Sequence, residues 1–284
     1  MTILKACPAS KRFFSPDCEL WRVDREMALL LAGGRALLMQ LAHPRVAAGV
    51  AQHSDFKTDP LGRLQRTMNA MWSIGFDERK RAEASLQHVN RVHGRVRGAV
   101  PANEPGGARD YFALDQDLLL WVHATLVDSA LIAYQAFVAP LSTAAKCSYY
   151  EDSKRLAELF KIRPEIVPTR LVDFEAYMRR MVVGGAITVG PMARALARDI
   201  LYPRPWLLRP AGPLFRLVTA GLLPDELRRG YGLAWNDVRE RRLRRFAHIV
   251  RRFLPLLPSP LRIVPQARRA ERELRRVHHA RNGM

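Results

Sequence analysis

Eight histidines, at 43, 53, 88, 93, 123, 248, 278 and 279, are the side chains of this sequence best suited to chemistry. Imidazole changes charge near neutral pH and ligates metals when neutral. Three of the eight lie in apolar helical context. His93 sits in VNRVHGRVRG, four residues after Val89 and three before Val96. His123 sits in LLLWVHATL, the most apolar stretch of the chain, and His43 stands at an apolar helix end. A lone histidine in such a setting is most often a hydrogen-bonded core residue. Three of them, with a buried arginine nearby, point instead to a metal or cofactor site.

Arg63, Arg66 and Thr67 form a second group. Residues four apart on a helix share a face, so Arg63 and Thr67 project together, with Arg66 displaced toward the apolar stripe. A guanidinium facing a pocket needs an anion or a carbonyl. A haem propionate or a bound oxygen species would serve; spacing alone favours a salt bridge to Asp59 or Glu78. The chain has no GxGxxG after a strand, no P-loop, no HExxH and no GxSxG. The commonest nucleotide, zinc-protease and serine-hydrolase readings therefore fall away.

The elements that position these residues read as helices. Glu26–Ala42 is a buried helix with Gly33 and Gly34 inside it, tolerable where another helix packs closely. His43-Pro44 ends that helix and starts the next, since a residue before proline resists the α conformation. Asp59-Pro60 starts a helix to about Gly75, and another runs from Asp77 to about Arg97. PANEPGG at 101–107 is a loop. Asp115 caps a long apolar helix through Leu118–Leu141, which is long enough for a bilayer but holds His123 and Asp128. Further helices are expected at Asp152–Phe160, Asp173–Met181, Pro191–Leu201, Pro224–Arg239, Arg239–Leu254 and Gln266–His279, with an extended Leu201–Pro213. No segment alternates with period two, so no sheet is expected. The expectation is one all-α domain over residues 25–284, preceded by an arm at 1–24.

The chain has 284 residues, 48% of them hydrophobic, a composition suited to a packed core. Its three cysteines, Cys7, Cys18 and Cys147, form no CxxC pair, which fits a reducing compartment. The N-terminal segment lacks the apolar core of a signal peptide, so a cytoplasmic location is expected, with membrane association an option. The net charge is +19. Residues 228–284 carry sixteen arginines, no lysine and four acidic residues. That excess suits an anionic membrane, an acidic partner or nucleic acid, or is simply a solvated face. No recognition motif accompanies it, which disfavours nucleic acid and leaves the solvated face as the plainer reading. The stretch Tyr202–Phe215 reads as a packed connector.

The segment LLMQLAHPRVAAGVAQHSDFKTDPLGRLQRT resembles the opening core of the latex-clearing-protein and MpaB-type oxygenase superfamily. The resemblance continues through VHGRVRG, ALDQDLLLWVHATLVDS, the tyrosine pair at Tyr149, YMRRM, LLP at Leu222–Pro224 and RRGYGLAW, over roughly residues 25–270. It implies an all-helical domain with a globin-like core, holding one haem b and acting with dioxygen on an apolar, isoprenoid-like small molecule. By the same resemblance His93 matches the proximal iron ligand, and Arg63 and Thr67 match the arginine and threonine of the distal helix. Arg66 stands where rubber oxygenases carry a lysine able to ligate iron. Arginine stays protonated and cannot take that role. No glutamate lies in His43–Gln52, where rubber oxygenases have a catalytic acid/base. Both departures weigh against polyisoprene cleavage and leave haem binding standing. His123 and His43 are the further expected cofactor contacts. Two other functions remain open: a non-haem metal enzyme using His43, His93 and His123 round one ion, and a non-enzymatic basic protein docking on membrane or nucleic acid.

Overall fold

The computed structural model describes residues 11–53, 60–202 and 210–282; at 60, 61, 63, 64 and 277–282 it describes the backbone alone. Helices α1 (Glu19–Asp24), α2 (Gly33–Leu41), α3 (Pro44–His53), α4 (Pro60–Phe76) and α5 (Arg79–His93) lead into a small hairpin, β1 (Arg97–Ala99) and β2 (Asp110–Phe112). There follow α6 (Gln116–Phe137), α7 (Thr143–Leu159), α8 (Leu171–Val183), α9 (Pro191–Leu201), α10 (Gly212–Leu222), α11 (Asp225–Gly230), α12 (Asp237–Phe253), α13 (Ser259–Arg262) and α14 (Pro265–Asn282). Among the described residues the fold is all-α apart from that hairpin.

Helix α6 is the axis of the core. Thirteen of its residues are buried, Trp121, Ala124, Ala133 and Phe137 completely. It packs against α2, α7, α12 and the 3-10 turn Met27–Ala32. A helix apolar all round is expected where protein surrounds it, and protein surrounds this one. Arg35 and Asp128, which interrupt the two most apolar segments, are a pair. The Arg35 guanidinium lies 2% exposed on α2 and meets the Asp128 carboxylate. It also donates to Ser129 Oγ at 2.6 Å and to the Leu222 carbonyl at 2.7 Å. A buried cation persists when its donors are satisfied in this way.

Residues 11–24 are part of the same core: Phe13, Phe14, Leu20, Trp21 and Val23 are all buried. Trp21 meets Phe76 edge to face at 4.8 Å between centroids.

Several boundaries differ from expectation. The segment Glu26–Ala42 is a 3-10 turn followed by α2, divided at Gly33. A Cβ on Gly34 would sit 2.1 Å from Thr219 Oγ1 and 2.9 Å from the Phe215 ring, so close packing of α10 requires this glycine. Helix α5 stops at His93, four residues early, because the chain turns into β1 and Val96 donates back to the His93 carbonyl. The hairpin itself was not expected. Three-residue strands are too short to show alternation. Helix α7 begins at Thr143 rather than 152, capped by Ser142 Oγ accepting from Ala145 N. The helix expected at Pro224–Arg239 is the short α11 followed by a loop, and α12 begins at Asp237 with Asn236 as its cap. Asp115 occupies the N-cap position of α6 but makes no side-chain cap bond; it accepts from Phe112 N and pairs with Arg45. Much of Leu201–Pro213 lies outside the described residues.

Candidate functional site

Helices α4 and α5 form an antiparallel hairpin with a two-residue bend at Asp77 and Glu78. Its bend end is fixed. Ile74, Phe76 and Ala82 are fully or almost fully buried, Arg12 Nε donates to the Phe76 carbonyl at 3.1 Å, and Arg269 pairs with Asp77. Its far end stands open: Gln65, Arg66, Thr67, Asn69, His88 and Val92 are exposed. Residues equidistant from the bend of a helix hairpin lie level with each other, which sets backbone position 63 beside 92–93 and position 67 beside 88. His93 occupies the last turn of α5 at this open end.

The His93 ring is half-buried. Its Nδ1 is sealed from solvent with no hydrogen-bond partner among the described residues. Burial lowers its pKa, so the imidazole is neutral at pH 7. Ligating histidines usually have their second ring nitrogen held by a backbone carbonyl or carboxylate. The structure does not supply one. A neutral ring with no internal bond is nevertheless free to ligate.

His43 and His123 share those properties on other elements. His43 is 9% exposed at the junction of α2 and α3, with Nδ1 buried and unpartnered. Burial first and the Arg45 cation second bring its pKa to about 4, against an opposing pull from Asp117. His123 is 7% exposed on α6 with Nε2 buried and unpartnered, and burial brings it to about 4. Arg45 ties the start of α3 to the start of α6 through Asp115 and Asp117. His123 is six residues beyond Asp117, about 9 Å along the helix axis. Trp121, which the sequence reading passed over, has its indole N–H buried without an acceptor two positions before His123. The only sequence signal for it was its place in WVHATL.

The structure does not gather the three histidines round one ion. Among the described residues no three His, Cys, Asp or Glu side chains form a group able to hold a metal. Thr67 and Arg66 are exposed on α4, so Arg66 does not turn into the apolar stripe. The backbone of Arg63 belongs to the same helix, while its side chain, like Asp59, lies outside the described residues.

Strand β1, which follows α5 in the chain, is tied to α3. Gln52 Nε2 donates to the Ala99 carbonyl at 3.1 Å, His53 Nε2 contacts the Arg97 carbonyl at 3.0 Å, and Tyr111 OH donates to Gln52 Oε1 at 2.6 Å. These bonds give His53 a structural place rather than a chemical one. A surface cleft of about 510 Å³ lies here, lined by Arg97, Gly98, Asp110, Tyr111, Phe112 and Asp115. Its two carboxylates are unsuited to a propionate-bearing porphyrin, which needs cations at its edge, and none of the candidate histidines lines it.

The chain was compared with known protein families. Residues 21–252 fit the family described as ER-bound oxygenase mpaB/B'/Rubber oxygenase, catalytic domain. Comparison with curated proteins and with solved structures gave no match.

Proposed function

The chain belongs to the mpaB/rubber oxygenase catalytic-domain family, and from that premise we propose that it is a haem b-dependent oxygenase acting with dioxygen on an apolar small molecule. The observation that carries this reading is His93, a desolvated, neutral imidazole without an internal partner at the open end of the α4–α5 hairpin. In this reading His93 is the protein's ligand to the haem iron. Bound haem supplies the dioxygen chemistry.

The chain's own residues then do three things. Burial keeps His93 unprotonated, so no proton competes for the ring nitrogen. Arg66 offers a cation from α4 to anionic groups at the cofactor's edge, Thr67 offers a hydroxyl on the same helix, and the backbone of Arg63 lies one turn before them. His43 and His123, both neutral, complete the set of polar groups assigned to the cofactor's surroundings. The half-buried Met68, Met71 and Trp72 on α4 provide apolar surface for a substrate of matching character. Arginine at 66 stays protonated and does not take the place of a second, distal lysine ligand.

The test is haem uptake. Protein titrated with haemin is expected to develop a Soret band that saturates at one haem per chain, counted by the pyridine haemochrome. A titration that yields only the free-haemin spectrum overturns the reading.

A further inference from the structure

The C-terminal helices carry charge and exposed apolar surface side by side. Helix α12 buries Leu243 and packs Phe246, Ala247 and Val250 against the core. At 100° per residue the opposite face carries Arg241, Arg245, His248 and Arg252, flanked by Arg242, Ile249 and Phe253. Arg241, Arg242, Arg245 and Arg252 are exposed and have no ion-pair partner among the described residues. Their neighbours are committed elsewhere. Arg244 pairs with Glu240, and Arg251 donates to the Gln135 and Ala136 carbonyls.

The chain past α12 extends this surface with leucines. Ile249 is 47% exposed, Phe253 57%, Leu256 68%, Leu257 41% and Leu261 63%. Leu254, buried among them, pins the segment to the core. Residues 238–262 hold eight arginines and a single carboxylate, Glu240. Isolated exposed hydrophobics are ordinary, but several close together in the chain and next to unpaired cations are not.

We propose that this surface docks the protein on an anionic lipid bilayer, with Phe253, Leu256 and Leu261 entering the interface and Arg241, Arg245 and Arg252 meeting lipid phosphates and carboxylates. Cations flanking an apolar wedge are what an interfacial anchor requires. A nucleic acid would engage the arginines and leave the leucines wet. A second copy of the chain would oppose one arginine stripe with another.

The test uses the full chain and phosphatidylcholine vesicles with or without phosphatidylserine, the bound fraction being read by flotation. Capture is expected on the serine-containing vesicles alone and falls as salt rises. R241Q/R245Q/R252Q is expected to weaken capture at least about tenfold. F253S/L256S/L261S is expected to weaken it to a similar degree with an unchanged thermal melt, because the three side chains are exposed. Absence of capture by serine-containing vesicles overturns the proposal. So does capture that the serine triple variant leaves intact, or RNA binding by that variant without vesicle capture by the parent chain.

Discussion

At the scale of single residues, the titratable groups set a pH signature. His43 and His123 have native pKa values near 4, well below the ordinary value for histidine. The native state therefore binds fewer protons than the unfolded chain between about pH 4 and 6.5. Their contribution to stability is complete above 6.5 and lost as pH falls through 4. Asp24 acts in the opposite sense. Burial raises it to about 7 although it accepts from Tyr149 OH at 3.0 Å, so its contribution is present at low pH and lost as pH rises toward 7. His93, lowered by burial, adds to the histidine side and Asp152, raised by burial, to the carboxylate side, so three groups against two keep the net slope positive, and the melting temperature is expected to fall on acidification from pH 6.5 to 4. H123N is expected to flatten that fall. D24N is expected to steepen it and to stabilise the protein at pH 7 by about 1–2 kcal/mol, since the Asp24 site keeps some solvent access. Melting curves by circular dichroism across the pH range read all three. A D24N protein less stable than the parent at pH 7 contradicts the assignment of a raised Asp24.

At the scale of elements, close packing decides more than propensity. Gly34 and Thr219 mark the crossing of α2 and α10, where no Cβ fits. G34A is expected to cost about 1–3 kcal/mol in urea denaturation, the usual range for overpacking. G34A/T219A is expected to recover part of that cost, because the first obstacle to the new methyl is Thr219 Oγ1. Additive losses would place the strain elsewhere. This crossing was legible in the sequence as a glycine pair inside an apolar run. Helix α9 was legible too, since Pro191 marks a first turn and the apolar period runs to Leu201. The start of α7 was not. Its first two turns, TAAKCSYY, carry no apolar stripe, and the Ser142 cap has no acidic partner three residues on to advertise it. The hairpin after α5 is held by Gln52 of α3, remote in sequence, which bonds Ala99 on β1 and Tyr111 on β2. Of the site, the helix positions of His93, His123 and Thr67 could be read from spacing. The missing partner on His93 Nδ1 and the outward turn of Arg66 depend on tertiary packing and could not.

At the scale of the whole molecule, the fold separates two regions of different chemistry. The α4–α5 hairpin, fixed at its bend and open at its far end, holds the neutral imidazole of His93. The α12–α13 region holds unpaired arginines and exposed leucines. Among the described residues one helix, α6, is long and apolar enough to cross a membrane, and most of it is buried in the core. With a net charge of +19, anionic molecules of many kinds will adsorb to the surface, so a bound-haem count alone cannot identify the ligand. The central claim is that His93 does. It is tested most directly by comparing the visible spectra of haem-loaded wild type, H93A, H43A and H123A at equal helical content by circular dichroism. The account predicts that H93A alone loses the Soret band of the ligated haem and that added imidazole restores it. A band unchanged in H93A, or lost instead in H43A or H123A, would contradict it.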